Sequence, residues 1–238
     1  MSLVKIPFIL ASCWAFKKAI TPPNPPAART DKAIESNLME MRWYTAHSPT
    51  YATALQWFAG LAEAATIVAY NYRSSPISTA ILSTLVLKSG NPGGLHLSAT
   101  TTIGCIMMLS GALVRLSTYR YLGKFFKFEA SIQKDHKLVT GGPYSIVRHP
   151  SYTGLLLTHP GWFLWQFGEG SWLRESGLLD TIPGQIFVGL YSLVMIIGTL
   201  YLTIGRMAKE DAALRAHFGS EWDEWASRVR FRVIPGVW

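Results

Sequence analysis

Polar chemistry in this chain is concentrated in two short stretches. The first, from His136 to Gly154, holds His136, Lys137, Tyr144, Arg148, His149, Ser151 and Tyr152, with Pro143, Pro150 and the pair Gly141 and Gly142 interspersed. Prolines and glycines interrupt helices, so the spacing predicts a shaped, non-helical connection opening into an apolar run at Gly154. Irregular polar backbone beside lipid is costly unless it lines a cavity or meets a ligand, which makes the stretch a candidate site. In the second stretch, Arg206 and Glu210 are four residues apart and share a helical face, and Asp211 follows. Beyond them Leu214, Phe218, Trp222 and Trp225 continue an apolar stripe that suggests docking at a membrane interface, and Phe218-Gly219 is where the helix should break.

Several chemistries are excluded. His136, His149 and His159 lack the spacing of a helical metal pair, and no cysteine or carboxylate completes a ligand set, so no metal is expected. Ser151 has neither the strained elbow nor the Asp–His support of a hydrolytic nucleophile. No glycine fingerprint of a soluble dinucleotide or P-loop fold occurs. Cys13 and Cys105 lie inside apolar stretches and read as small buried hydrophobes.

The elements that must position these residues are membrane helices. Of 238 residues, 49% are hydrophobic and 15% charged, and the mean hydropathy is +0.20. Soluble domains carry about 25% charged residues, and here the deficit falls in long apolar runs. Nine Trp and ten Tyr fit interfacial belts. A net charge of +8 could suit nucleic acid, but the basic residues flank apolar runs instead of forming a stripe, so no nucleic-acid partner is expected. Crossing the hydrocarbon takes about 20 residues, which gives candidate spans at 2–18, 50–71, 96–115, 154–170 and 181–205. The first reads as a retained anchor, 77–87 is too short to span alone, and Thr21 to Pro26 reads as a stiff linker. The expectation is therefore an all-α polytopic protein, one domain over 1–238, with N-terminal spans in 1–95 and a catalytic core in 96–238.

Five spans place residues 19–49, 116–153 and the tail from 206 on one side. That side collects Arg29, Lys32, Arg42, Arg120, Lys124, Lys127, Lys134, Lys137 and Arg148, and in the tail Arg206, Lys209, Arg215, Arg228, Arg230 and Arg232. The opposite side receives Lys5, Arg73, Lys88 and Arg174. The positive-inside rule then puts the 116–153 connection and the C-terminal helix together in the cytosol, where a hairpin of the last two spans lets them build one site.

Taken in order, His136-x-Leu138-Val139, Gly142-Pro143-Tyr144, Arg148-His149-Pro150-Ser151-Tyr152-x-Gly154, then Arg206 with Glu210-Asp211 and Phe218-Gly219-x-Glu221-Trp222 resemble the isoprenylcysteine carboxyl methyltransferases. The likeness covers roughly residues 100–238, and the first 95 residues match only as a pattern of spans. It implies an integral membrane enzyme of the endoplasmic reticulum that uses S-adenosylmethionine to esterify the carboxylate of a prenylated protein's C-terminal cysteine. It further implies that His136, Lys137, Leu138, Val139, Tyr144, His149, Pro150, Ser151, Tyr152 and Glu210 surround the cofactor, and that Arg206 holds the substrate carboxylate as the catalytic residue. The chemistry suits these roles: an ammonium fits Glu210, and an arginine fork orients a carboxylate through two bonds. Three features depart from the family pattern, namely Asp211 beside Glu210, the pair Trp222 and Trp225 where tyrosines are common, and an approach to Ile234-Pro235 one residue longer.

Two rival enzymes fit part of the pattern. A phospholipid or small-molecule methyltransferase could use the same scaffold, but an amine acceptor must lose a proton and sits poorly beside Arg206. Sterol-type reductases show a similar Arg-His-Pro-x-Tyr-x-Gly element, but are generally longer and use a nicotinamide cofactor. A non-catalytic lipid-binding relative would have no need of both Arg206 and Glu210.

Overall fold

The structure, a computed structural model, describes residues 2–28, 31 and 42–237. Arg29 and Lys32, two of the charges assigned to the cytosolic side, lie outside the described residues. The described residues form helices and no β-strand. In order they are α1 (Lys5–Ile20), α2 (Arg42–Asn71), α3 (Pro76–Leu85), α4 (Ala99–Leu122), α5 (Pro150–Phe167), α6 (Trp172–Glu175), α7 (Ile182–Leu200), α8 (Met207–Phe218) and α9 (Ser220–Arg228). A π-helical turn, Tyr201–Arg206, joins α7 to α8 without a break.

Three of these helical stretches are long and apolar enough to cross a membrane: His47–Asn71, Ala99–Phe125 and Ile182–Phe218. The expectation was five. The first and fourth expected spans are helices of 16 and 18 residues, α1 and α5. α1 falls short of the length, and α5 carries Thr153, Thr158, His159 and Gln166 among its apolar residues. The segment expected at 77–87 is a ten-residue helix capped by Ser75, whose side chain accepts from the Ile77 amide, with Pro76 at the first helical position. α7 leaves Ile182, Ile186, Phe187, Leu190 and Leu193 exposed, as a lipid-facing helix does.

The chain divides into two compact units. The first comprises Met1–Lys17, Ala52–Ser110 and Leu157–Ile196. Lys5 was counted above as a charge on the side opposite the tail; it is instead fully buried, paired with Glu63, and donates to the Gly170 carbonyl at 2.7 Å. An ion pair inside the fold carries no topological information, because its charge is cancelled locally. Beside it, Gln56 Oε1 accepts from Trp162 Nε1 at 2.9 Å and Gln166 Nε2 at 2.8 Å. α4 and α5 approach closely here through Gly104 and Gly161: a Cβ on Gly161 would stand 2.8 Å from the Gly104 carbonyl oxygen. Small residues at such a crossing let two backbones meet where lipid supplies no hydrophobic drive.

The second unit comprises Lys18–Tyr51, Gly111–Leu156 and Ile197–Trp238, and it contains both polar stretches. Its Pro-rich linker is pinned, with Asn24 Nδ2 donating to the carbonyls of Gly123 at 2.7 Å and Phe126 at 3.0 Å. Gly219 at φ +56° ends α8 where Phe218-Gly219 was expected to break the helix. The aromatic stripe turns inward: Trp222, Trp225 and Val229 form a buried cluster against Leu138, Tyr144, Leu214 and Phe218. The expected interfacial docking is corrected on this point, because these rings bury their area against the connection between α4 and α5.

Candidate active site

The connection from Gly123 to Arg148 is irregular except for short 3-10 turns at Gly123–Phe125 and Gly142–Ser145. α5 begins earlier than the apolar run suggested, because Pro150 presets the backbone angle of a first helical residue and needs no hydrogen-bond acceptor. Ser151, Tyr152 and Gly154 therefore stand on the first turns of a helix. This register aims Tyr152 at α8 and puts Ser151 beside α4. The C-terminal segment closes over them: the amides of Arg148 and His149 donate to the carbonyls of Phe231 at 2.9 Å and Arg232 at 2.8 Å, and Thr153 Oγ1 donates to Val233 O at 2.6 Å.

Two neighbouring acids on α8 organise the site. Glu210 Oε1 accepts from the Tyr152 hydroxyl at 2.7 Å and from Arg206 Nε at 2.8 Å, while its Oε2 faces His149 Nδ1 at 3.6 Å. Asp211 accepts from His149 Nε2 at 2.9 Å and Arg148 Nη1 at 3.1 Å, and lies 3.4 Å from Arg232 Nε. His149 thus bridges the two carboxylates from a position 7% exposed. Burial acts to discharge its imidazole, but the hydrogen bonds and negative charges of Asp211 and Glu210 outweigh it and raise the pKa above the ordinary value. Arg206, buried at 5% exposure, ends the π-helical turn. The wider π spacing changes the direction in which a side chain leaves the helix, and such turns recur at functional sites.

The connection supplies the surrounding walls. His136 stacks on Phe125 at 4.6 Å between ring centres and meets Phe218 edge-on at 5.8 Å; burial, then the neighbouring His217, depresses its pKa. Leu138 packs on the Trp222–Trp225 cluster, Val139 is half-buried and Lys137 is exposed. Tyr144 is held by its carbonyl, which accepts from Trp225 Nε1 at 3.1 Å, and burial pushes its phenol pKa up, with Glu210 adding to the rise. Pro150 is buried at the helix start, and Ser151 accepts from Arg115 through both its hydroxyl and its carbonyl.

The structure therefore brings together Tyr144, His149, Ser151, Tyr152, Arg206 and Glu210. Among the described residues, 136–139 take no part in the hydrogen bonds around the two acids; they border the site through rings and apolar contacts. Sequence reasoning placed Arg148 and Asp211 in its motifs but gave them no role in a charged layer behind His149, and it missed Arg232 and Arg115 as site residues. Asp211 carried the one available signal, a second acid next to Glu210. Arg115 and Arg232 lie far from the motifs in sequence and join the site through tertiary packing.

The donor set fits S-adenosylmethionine. A carboxylate offers about four acceptor directions. Those of Glu210 Oε1 are taken by Tyr152 and Arg206, whereas among the described residues Oε2 has the long contact to His149, a geometry in which it can accept from an ammonium.

Known proteins bear on the same residues. The family model described as phospholipid methyltransferase matches residues 99–173, which include Arg115 and the His149–Tyr152 run and end before Arg206. Protein-S-isoprenylcysteine O-methyltransferase B of Arabidopsis thaliana is 28% identical over 131 residues, covering 54% of this chain and 56% of that protein. The protein-S-isoprenylcysteine O-methyltransferase of Schizosaccharomyces pombe is 29% identical over 132 residues, covering 55% of this chain and 47% of the relative. Over about half its length the chain is thus similar to protein-S-isoprenylcysteine O-methyltransferases. A Delta(14)-sterol reductase of Gibberella zeae is 30% identical over 121 residues, but these cover 43% of this chain and 24% of that longer protein. The chain spans about half the length, or less, of these curated relatives. The two acids of α8 and the turn that opens α5 form the polar centre of the second unit.

Proposed function

We propose that this protein transfers a methyl group from S-adenosylmethionine to the C-terminal carboxylate of a prenylated cysteine, as a single multi-pass domain whose site faces the cytosol from the endoplasmic reticulum membrane. The observation that carries the reading is Glu210 flanked by Arg206 and Tyr152, an anion and a cation held side by side at the end of an apolar helix. Bound S-adenosylmethionine supplies an activated methyl group on a sulfonium, and Glu210 Oε2 would hold its ammonium.

The acceptor carboxylate is already ionised near neutral pH, so no base is required. Arg206 presents a planar guanidinium whose Nε donates to Glu210, and a guanidinium fork is suited to orienting a carboxylate through two bonds. Tyr152 keeps Glu210 in place while Arg206 turns to the acceptor. His149, set between two acids, fixes the orientation of the α8 carboxylates. The buried rings of Trp222 and Trp225, with Tyr144 packed against them, exclude water, which strengthens these interactions. The prenyl tail would lie among the apolar helices, reached from the bilayer, with α1 and α5 completing five spans.

The family model's description keeps phospholipid methylation as a second reading. An amine acceptor would need a base, and both acids of α8 are committed to cations. Membranes containing the protein, given labelled S-adenosylmethionine with a farnesylated cysteine analogue or phosphatidylethanolamine, separate the two. Base-labile methyl ester on the cysteine analogue is expected, and label in phospholipid alone refutes the proposal. Arg206→Ala should abolish transfer while donor binding persists, and Glu210→Ala should weaken donor binding.

A further inference from the structure

Arg115 is a buried cation that the mechanism above does not use. It lies on α4 at 2% exposure. Its Nε donates to the Tyr119 hydroxyl at 3.0 Å, and its Nη1 donates to Ser151 O at 3.1 Å and Oγ at 2.8 Å. Tyr119 in turn donates to the Ala19 carbonyl at 2.9 Å. The guanidinium faces three rings, with its carbon 5.4 Å from the centre of Tyr119, 5.9 Å from Phe126 and 5.7 Å from Phe128. Every one of these partners is neutral. The hydrogen bonds of Arg115 run from Nε and Nη1 to a phenol and a serine, and none of them reaches a carboxylate.

An arginine taken out of water without a counter-anion is costly, and proteins accept that cost where a ligand brings the anion. Arg115 grips Ser151, the residue next to Tyr152, and so stands one helical position from the group that anchors Glu210. Arg115 and Glu210 also act on the same Tyr144 phenol, in opposite senses. The site thus contains a second guanidinium besides Arg206. Each proposed ligand brings one carboxylate, the donor on its amino-acid end and the acceptor at the methylated group.

We propose that Arg115 is a second carboxylate receptor of this site, binding through Nη2 the carboxylate of either the methyl donor or the acceptor; the inference rests on the methyl-transfer reading. The test uses the full chain in lipid nanodiscs and two ligand pairs that differ by a carboxylate. One pair is S-adenosylmethionine and its decarboxylated form; the other is N-acetyl-S-farnesylcysteine and its carboxamide. Arg115→Gln should reduce the preference for the carboxylate member of one pair by about tenfold or more, as expected for a lost charged hydrogen bond. The pair affected names the source of the carboxylate. If both members of each pair weaken alike, or neither preference changes, Arg115 only holds Ser151 and the proposal is overturned. If Arg115→Gln does not fold, Arg115→Lys decides, because it keeps the charge and loses the fork; a preference unchanged there overturns the proposal. Should the wild type bind S-adenosylmethionine but neither farnesylcysteine ligand, the acceptor assignment fails separately and the donor pair still decides Arg115.

Discussion

Replacing Asp211 with asparagine separates the charge of the network from its shape. Asp211 is 6% exposed and serves His149, Arg148 and Arg232 at once. Asparagine keeps the volume and one acceptor oxygen but leaves Arg148, Arg232 and His149 without their shared anion. Removing one partner of a buried ion pair costs about 3–5 kcal/mol. The Arg232 side chain is 36% exposed, so solvent screens its share and the lower figure, about 3 kcal/mol, applies. For a chain of this size that corresponds to a melting point lower by about 6–12 °C. A pH signature accompanies the loss. The folded pKa of His149 lies above the ordinary 6.5, so its contribution is fully present below that value and is lost as pH rises through the folded value. Asp211→Asn removes the charge of the carboxylate whose hydrogen bond contributes most to raising it, so the fall in stability on the alkaline side should flatten. Thermal unfolding of the full chain in detergent, followed by tryptophan fluorescence between about pH 6 and pH 9, measures both effects. A variant that melts with the wild type and keeps its pH slope would refute the network.

Two further substitutions probe the frame around the acids. Tyr152→Phe removes one donor from Glu210 while Arg206 remains, so donor affinity, read by equilibrium binding of labelled S-adenosylmethionine, should fall about five- to tenfold with the melting point nearly unchanged. Gly154→Ala would place a Cβ 2.5 Å from Arg115 Cγ and 2.9 Å from the Gly111 carbonyl oxygen. The α4–α5 crossing must then open, which should cost about 1–3 kcal/mol, seen as a lower melting temperature.

The sequence disclosed the partners of this site better than its wiring. Tyr152, His149 and Glu210 were recognisable because each sits in a short motif, and the hairpin of α5 and α7 accounts for their meeting. Helix boundaries followed local rules at Ser75-Pro76, Pro150 and Gly219, where cap chemistry acts over a few residues. What local rules could not supply was direction. The stripe Leu214, Phe218, Trp222 and Trp225 has the period of an interfacial helix, but whether it faces lipid or Leu138 and Tyr144 depends on a loop about eighty residues earlier. Lys5 shows the same limit for charge: the positive-inside rule counts loops, and nothing near Lys5 in sequence reveals Glu63. The π-helical turn at Tyr201–Arg206 likewise lacks a local signature, since its residues read as ordinary helix.

The pairing of Arg206 with Glu210 explains how such a site can exist at the end of an apolar helix. Each residue proposed to bind a charged ligand group is partnered within the protein, so neither is left as an isolated buried charge. Behind them Asp211 performs the same service for Arg148 and His149, and the amides of Arg148 and His149 are tied to Phe231 and Arg232. The polar groups are therefore fixed before any ligand arrives, which is the condition for orienting a carboxylate and a methyl group without reorganisation at the moment of transfer. Arg115 is the exception, a buried cation that donates to a phenol and a serine and faces three aromatic rings, and it is this difference that the proposed carboxylate-binding role explains.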